Sequence, residues 1–431
     1  MPPVEIPALV LSDAHRHAAD LAAFVTASPS SFHAAHEVAR RVAAAGFTPL
    51  AEADAWPTGP GRHVVVRDGA VIAWVVPSGA GPTTPVTVLG THTDSPGFKL
   101  KPTPDASRAG WRQASVEVYG GPLLNSWLDR ELAVAGRVAT RDGEHLVRTG
   151  PLLRIPQLAI HLDRQVNDGL TLDKQRHTQP VWGLGDAPGL LAAVVGDVCD
   201  PADVLAWDLT LVDTQEPQTF GANHELFASA RLDNLLSTHA ALTALLASEP
   251  ETITVLAAFD HEEVGSATRS GAAGPFLSDV LDRIRAGLGA HAEQAHRALA
   301  SSVCISSDVG HSVHPNYPER HDPGTVPVAG GGPILKINAN QRYATDAPGG
   351  ALWTAACERA GVPSQAFVSN NALPCGSTIG PITATRLGLR TVDVGAPILS
   401  MHSARELCAV DDPWYLARAM TAVLGGPSRA R

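Results

Sequence analysis

The chain has 431 residues, enough for two domains and a large core. Its 44% hydrophobic and 17% charged residues are those of a folded globular protein rather than a disordered one, and no apolar run is long enough to span a bilayer. A net charge of −11 without a basic stripe argues against nucleic acid and anionic membrane surfaces as partners.

The opening Met1-Pro2-Pro3-Val4-Glu5 carries no basic segment followed by an apolar one, so no secretion signal is expected there. Residues 13–46 predict two helices. Ser28-Pro29-Ser30-Ser31 stops the first and caps the second, and Gly46 ends it. Residues 63–66 and 71–76 flank Asp68-Gly69, a hairpin signal, and 86–89 predicts a short buried strand. From 95 to 226 short strand-like runs (115–119, 133–140, 145–148, 158–162 and 206–212) alternate with Gly and Pro, with one helical run near 189–197. This predicts a β-rich insertion. After 227 helices and strands alternate again. Helices are expected at 232–247, 275–301 and 351–360, and strands at 252–259, 303–306 and 390–394. His321 to Pro333 reads as a mobile Gly/Pro-rich loop. A last helix is expected from Asp412-Pro413, with Asp412 as its N-cap. The simplest account is one α/β domain, 1–94 and 227–431, interrupted by a β-rich domain, 95–226.

Five cysteines (Cys199, Cys304, Cys357, Cys375, Cys408) are scattered and form no C-x-x-C pair. Neither disulfides nor a cysteine zinc site is expected, and a reducing cytoplasm fits. Only four lysines occur among 32 basic residues. Where Arg serves as the general cation, a remaining Lys such as Lys336 suggests a site that needs a compact ammonium; the plainer reading is that a few lysines persist by chance.

Four apolar runs end in residues able to hold a metal. Residues 86–90 lead into Thr91-His92-Thr93-Asp94, and 254–259 into Asp260-His261-Glu262-Glu263. Residues 303–306 lead into Ser307-Asp308, and 391–394 lead through a short loop to Met401-His402-Ser403. In an open α/β sheet, catalytic groups gather where strands hand over to loops at their carboxyl ends. Delivered to one sheet edge, these side chains would form a hydrolytic metal centre. Asp94 could accept the second ring N–H of a metal-bound His92. Adjacent Glu262 and Glu263 repel unless a cation or proton intervenes. One could ligate while the other takes a proton from the attacking water. Each residue also has a plainer reading. His92-x-Asp94 occurs by coincidence, Glu262-Glu263 suits an exposed acidic loop, and Asp233 suits a helix start. Asp308 suits a turn, and His402 suits a packed core.

In this order the residues resemble the aspartyl aminopeptidases, a branch of the co-catalytic di-zinc metallopeptidases. The similarity spans nearly the whole chain. It is carried by Ser28-Pro29-Ser30-Ser31-Phe32-His33, Gly90-Thr91-His92-Thr93-Asp94-Ser95-Pro96 and Leu158-Ala159-Ile160-His161-Leu162. It continues in Ser229-Ala230-Arg231-Leu232-Asp233-Asn234, Phe259-Asp260-His261-Glu262-Glu263-Val264-Gly265-Ser266 and Asp308-Val309-Gly310-His311. Further matches are His314-Pro315-Asn316-Tyr317, Gln341-Arg342-Tyr343-Ala344, Cys375-Gly376-Ser377-Thr378-Ile379-Gly380 and Met401-His402-Ser403-Ala404-Arg405-Glu406. His261 stands where Asn is common and Gly310 where a bulkier residue is familiar. Neither removes a ligand.

The resemblance implies an α/β, mixed-sheet metallopeptidase domain with an inserted, mostly β dimerisation domain. It implies two Zn²⁺ per subunit, one on His92 and Asp308, the other on Glu263 and His402, with Asp233 bridging. Glu262 would be the general base and Asp94 the partner behind His92. Dimers would assemble into a tetrahedral dodecamer, in which His161 reaches a neighbouring subunit's site and stabilises the tetrahedral intermediate. Substrates would be peptides with a free N-terminus, acidic residues preferred. Lys336 matches a side chain associated with the acidic group, His311 lies close by, and Gly376 and Ser377 belong to the substrate-lining loop. Two other readings stand beside this one. The chain could be a di-zinc aminopeptidase or deacylase of other specificity, since the same metal chemistry serves many amides. It could also be a catalytically silent oligomeric shell, which the presence of Glu262 and every ligand disfavours.

Overall fold

The computed structural model of the chain describes residues 12–186, 189–196 and 198–425. The first five residues, read above for a leader, and residue 197 of the helical run lie outside it. The fold is mixed α/β with a closed β-barrel. A nine-stranded sheet forms the centre of the α/β part. Four of its strands, Ile253–Phe259, Val86–His92, Val303–Ser307 and Arg390–Gly395, run parallel as successive neighbours. Parallel strands are covered on both faces, and the first two are buried along their whole length.

Side-chain alternation in the strand Ala70–Val76 shows how the two faces are filled. Val71, Ala73 and Val75 enter one core, with residues of the helices Asp13–Ala27, Ser31–Ala44, Leu232–Ala247 and Asp411–Leu424. Ile72, Trp74 and Val76 enter the other, with Phe276, Leu277, Val280 and Leu281 of the helix Phe276–Gly287. The predicted hairpin is present as Gly61–Arg67 paired with Ala70–Val76. The two N-terminal helices break at Ser28 as expected, and Ser30 caps the second by accepting from the His33 N–H.

The barrel is built on seven strands between Gly97 and Asp213. It closes because Ala206–Asp213 pairs with both Gly97–Arg108 and Glu131–Thr140. After Asp213 the chain enters a third, five-stranded sheet. There Leu226–Ser229 pairs with Glu406–Ala409, placing Ser229 opposite Glu406. No helix among the described residues is long and apolar enough to cross a membrane. All five cysteines are free.

Three local expectations are corrected. Residues 158–162 form an exposed turn, not a strand: Leu162 N–H donates to Ala159, and Leu158, Ile160 and Leu162 face solvent. The expected helix over 275–301 is two, Phe276–Gly287 and Ala292–Ala300. Gly289 takes a left-handed φ of +72° between them, and His291 with Gln294 makes a capping box that starts the second. Asp412 is not an N-cap. The last helix begins at Asp411, and the buried Asp412 carboxylate accepts the Gly330 and Gly332 N–H groups, which ties the 321–333 loop to that helix.

Candidate metal centre

The parallel strands end together: Phe259 is in register with His92, and Ser307 with Val394. The residues that follow them therefore meet at one sheet edge. His92 is the last residue of its strand and is 1% exposed. Its Nδ1 lies 3.1 Å from the Asp94 carbonyl and 3.4 Å from the Asp94 carboxylate. Its Nε2 lies 3.3 Å from Asp233 Oδ1 and 3.6 Å from Asp308 Oδ1. His402 repeats the arrangement. Its Nδ1 donates to the Gly121 carbonyl at 3.0 Å, and its Nε2 lies 3.4 Å from both Asp233 Oδ2 and Glu263 Oε2. Such an outward hydrogen bond on Nδ1 leaves Nε2 as the inward atom able to hold a metal. Asp233 thus stands between the two imidazoles with one oxygen toward each.

Local backbone explains how each group is presented. Asp233 sits at the head of the helix Leu232–Ala247 but has non-helical angles, φ −80° and ψ 102°, and a cis peptide joins it to Asn234. Its N–H donates to Glu406 Oε2 at 3.0 Å and its carbonyl accepts from Ser95 Oγ at 2.5 Å. Glu262 and Glu263 share a single 3₁₀ turn, entered through a left-handed His261 and left through Gly265 at φ +97°. Both of their N–H groups donate to Asp94, at 3.0 and 3.1 Å. Asp94 therefore fixes the glutamate turn as well as standing behind His92. Asp308 N–H donates to Val394 O, and a Cβ at Gly395 would lie 1.7 Å from the Asp308 carbonyl, so only glycine fits there.

Five carboxylates (Asp94, Asp233, Glu262, Glu263, Asp308) crowd two imidazoles in this space. Burial alone would discharge His92, but Asp233, Asp308 and Asp94 outweigh it and hold its pKa well above the ordinary value. His402 is likewise raised to about 9 against burial, chiefly by Asp233. Asp233 is held low, burial being overcome by His402 and His92. Burial pushes Glu262 up to about 8, with Asp308, Asp233 and Asp94 adding to it. Burial and then Asp233 push Glu263 well above its usual range. Such crowding calls for a cation. His92 Nε2, Asp233 Oδ1, Glu263 Oε1 and Asp308 Oδ1 are also buried with no hydrogen-bond partner. Ligand atoms of His92, Asp233 and Glu263 all lie within 4.8 Å of one another. Imidazole nitrogen and carboxylate oxygen are donors that zinc accepts, so these residues fit a zinc centre.

Beside the centre lies a cleft of about 290 Å³. Its walls include His311, His314, Arg320, His321, Tyr343 and Gly376. Among the described residues lining it there is no carboxylate, and its edge at Ser400 is two residues from His402. Crowding by protein and the Lys336 ammonium keep His311 below its ordinary pKa, and burial with His314 does the same for His321. Ser377 Oγ donates to Arg342 O, and Arg342 Nε to Gly376 O. Lys336 is buried. Its Nζ donates to Val309 O at 2.8 Å, lies 3.9 Å from Asp308 Oδ2 and sits 5.4 Å above the Tyr343 ring. His161 stands on the exposed turn of the barrel domain. Sequence reasoning missed Glu406 and Tyr119 as parts of the site. Glu406 sits in the Met401–Glu406 motif four residues after His402, a signal that could have marked it. Tyr119 carried none.

A family model described as "Aminopeptidase I zinc metalloprotease (M18)" matches residues 24–422. The chain is 57% identical over 425 residues to a probable M18 family aminopeptidase 2 of Streptomyces avermitilis, covering 95% of this chain and 98% of that one. It is 44% identical to the protein of the same description from Mycobacterium tuberculosis, covering 94% and 97%. Among solved structures it is similar to Ape4, determined by cryo-EM in complex with Nbr1 (TM-score 0.90, 34% identity, 95% of this chain and 85% of that chain). It is also similar to the mApe1 dodecamer of S. cerevisiae (TM-score 0.82, 28% identity, 94% and 95%).

Proposed function

The chain belongs to the M18 family of zinc aminopeptidases, the aspartyl aminopeptidase family, and on that footing we propose that it removes acidic residues from peptide N-termini at a centre of two zinc ions. The position of Asp233 carries the two-ion reading, with Oδ1 toward His92 and Oδ2 toward His402. His92 and Asp308 would hold one ion, Glu263 and His402 the other, and Asp233 both. Zinc bound there would supply Lewis acidity, making water nucleophilic at neutral pH and polarising the scissile carbonyl. Glu262 is the general base: it takes the proton of the attacking water and returns it to the leaving amine. Asp94 orients His92 and, through two backbone N–H groups, keeps Glu262 and Glu263 in step.

A cleft whose described lining holds no carboxylate supports a preference for Asp and Glu. The whole molecule carries −11, and salt screens that field beyond about 8–10 Å. Selection of an anion therefore rests on local cations. Two are candidates: Lys336, buried beneath Tyr343, and Arg320, in the cleft wall. His311 and the Gly376–Ser377 loop complete the binding surface. We further propose that His161 acts in a neighbouring subunit's site. The exposed Leu158, Ile160 and Leu162 beside it suit a contact between copies, and the S. cerevisiae neighbour is a dodecamer. Five free cysteines suit a cytoplasmic enzyme.

The test is kcat/KM on Asp-, Glu-, Leu- and Lys-amides and on an N-acylated peptide, with zinc content measured alongside. Faster turnover of Asp and Glu is expected. Preference for Leu or Lys would replace the acidic reading with another aminopeptidase specificity, and preference for the blocked peptide would favour a deacylase.

A further inference from the structure

The strand Trp111–Tyr119 belongs to the barrel, yet its end lies against the metal centre of the α/β domain. Tyr119 OH donates to Asp94 Oδ2 at 2.7 Å. That carboxylate also faces His92 and accepts from the Glu262 and Glu263 N–H groups. Gly120 has φ +67°, and a Cβ there would sit 3.1 Å from Glu263 Cβ. The Gly121 carbonyl accepts the His402 Nδ1–H at 3.0 Å, and Leu123 N–H donates to the His402 carbonyl at 2.9 Å. Within five residues, the inserted domain thus touches the carboxylate behind one proposed zinc ligand, hydrogen-bonds a second, His402, and leaves little room for a side chain against a third, Glu263.

We propose that Tyr119–Leu123 is a positioning element for both metal sites, so that zinc affinity and the seating of the barrel on the α/β domain are linked. Tyr119 holds Asp94, and through it His92 and the glutamate turn. Gly121 fixes the ring of His402 with Nε2 inward. Groups that orient a ligand from behind set its geometry and basicity. Linkage is reciprocal: what the docked barrel adds to zinc binding, bound zinc adds to docking. This inference rests on the ligand assignment proposed above.

The test uses the full chain and two substitutions, Tyr119→Phe and Gly120→Ala. Zinc affinity is measured by chelator competition, ligand geometry by the visible spectrum of the Co²⁺-substituted protein, and docking by hydrogen exchange at the Leu123 amide with and without zinc. Tyr119→Phe removes one hydrogen bond and no packing volume of note. It should weaken zinc on the order of 10- to 100-fold at one site or both and alter the Co²⁺ bands, while the metal-free chain, having lost one hydrogen bond, still unfolds cooperatively at a modestly lower temperature. Zinc should slow exchange at Leu123 in the parent. Gly120→Ala should weaken the Glu263 side further, and if it fails to fold, Tyr119→Phe decides alone. Parental zinc affinity and Co²⁺ spectrum in Tyr119→Phe, or Leu123 exchange that zinc leaves unchanged, overturns the inference with the ligand assignment intact. A parent that binds zinc no better than Asp233→Ala overturns the assignment, and the inference with it.

Discussion

The carboxylate of Glu406 accepts the backbone N–H of Asp233 at 3.0 Å. Its other oxygen accepts the N–H of His402 at 2.7 Å. One buried side chain thereby sets the backbone of the proposed bridging ligand and of a histidine 169 positions away in the chain. Glu406→Gln would turn an amide nitrogen toward one of these donors and lose a bond. Zinc affinity is expected to fall on the order of 10- to 100-fold, read by chelator competition. Parental affinity in this variant would mean that Glu406 does not position the metal centre.

Glu262→Gln leaves the proposed ligands in place but cannot accept a proton. It should retain parental zinc while kcat falls about 10²–10⁴-fold. Near-normal turnover in the zinc-loaded variant would mean that another group is the base.

Arg320 and Lys336 can be told apart by substrate. Lys336 is 3.9 Å from Asp308 and directs much of its field at that carboxylate, whereas Arg320 faces the cleft and, among the described residues, pairs with the neighbouring Glu319 at 3.8 Å in an exposed contact. Surface pairs of that kind are weak, which leaves Arg320 available to an anion. Arg320→Met should lower kcat/KM for Asp- and Glu-substrates and spare Leu-substrates. Lys336→Met should also lower zinc affinity through Asp308. Selective loss of acidic substrates in Lys336→Met at full zinc content would reverse the assignment.

A buried histidine pair far from the cleft predicts acid sensitivity. His17 and His239 stack with centroids 4.6 Å apart, and His239 Nε2 lies 2.7 Å from Asp20. Burial first, and then His239, lower the His17 pKa to about 3, against a small opposing pull from Asp20. The unfolded chain binds this proton more readily. The stability from neutral His17 is therefore complete above about pH 6.5 and is lost as pH falls toward 3. By pH 5 the loss is about 2 kcal/mol. Denaturant unfolding at pH 7 and pH 5 should show that much less acid destabilisation in His17→Phe than in the parent. Equal losses would place the sensitivity elsewhere.

The sequence carried the strand ends well because parallel strands buried on both faces are continuous apolar runs: His92 ends one such strand, Asp308 follows another directly, and Glu263 comes four residues after a third. Asp233 was legible only through the family motif. Alone it read as a helix start, and what turns its carboxylate inward is a backbone kink anchored by Glu406. Glu406 and Tyr119 depend on long-range pairing, Ser229 against Glu406 and a barrel strand against the α/β domain, which no local window contains. Residues 158–162 misled because an apolar run reads as a strand whether or not a partner strand exists. The break at Gly289 was hidden because apolar periodicity continues across it.

A carboxylate shared by two ions is the feature on which the proposed centre depends, and the metal stoichiometry of Asp233→Ala reads it out. The parent, dialysed against chelator-free buffer after zinc loading, should hold two zinc ions per chain by elemental analysis. A bridging Asp233 would offset the mutual repulsion of the two proposed ions, so the variant should lose zinc from both sites rather than from one. Two tightly held ions per chain in Asp233→Ala would contradict the bridging role and leave Asp233 as a residue of the helix start.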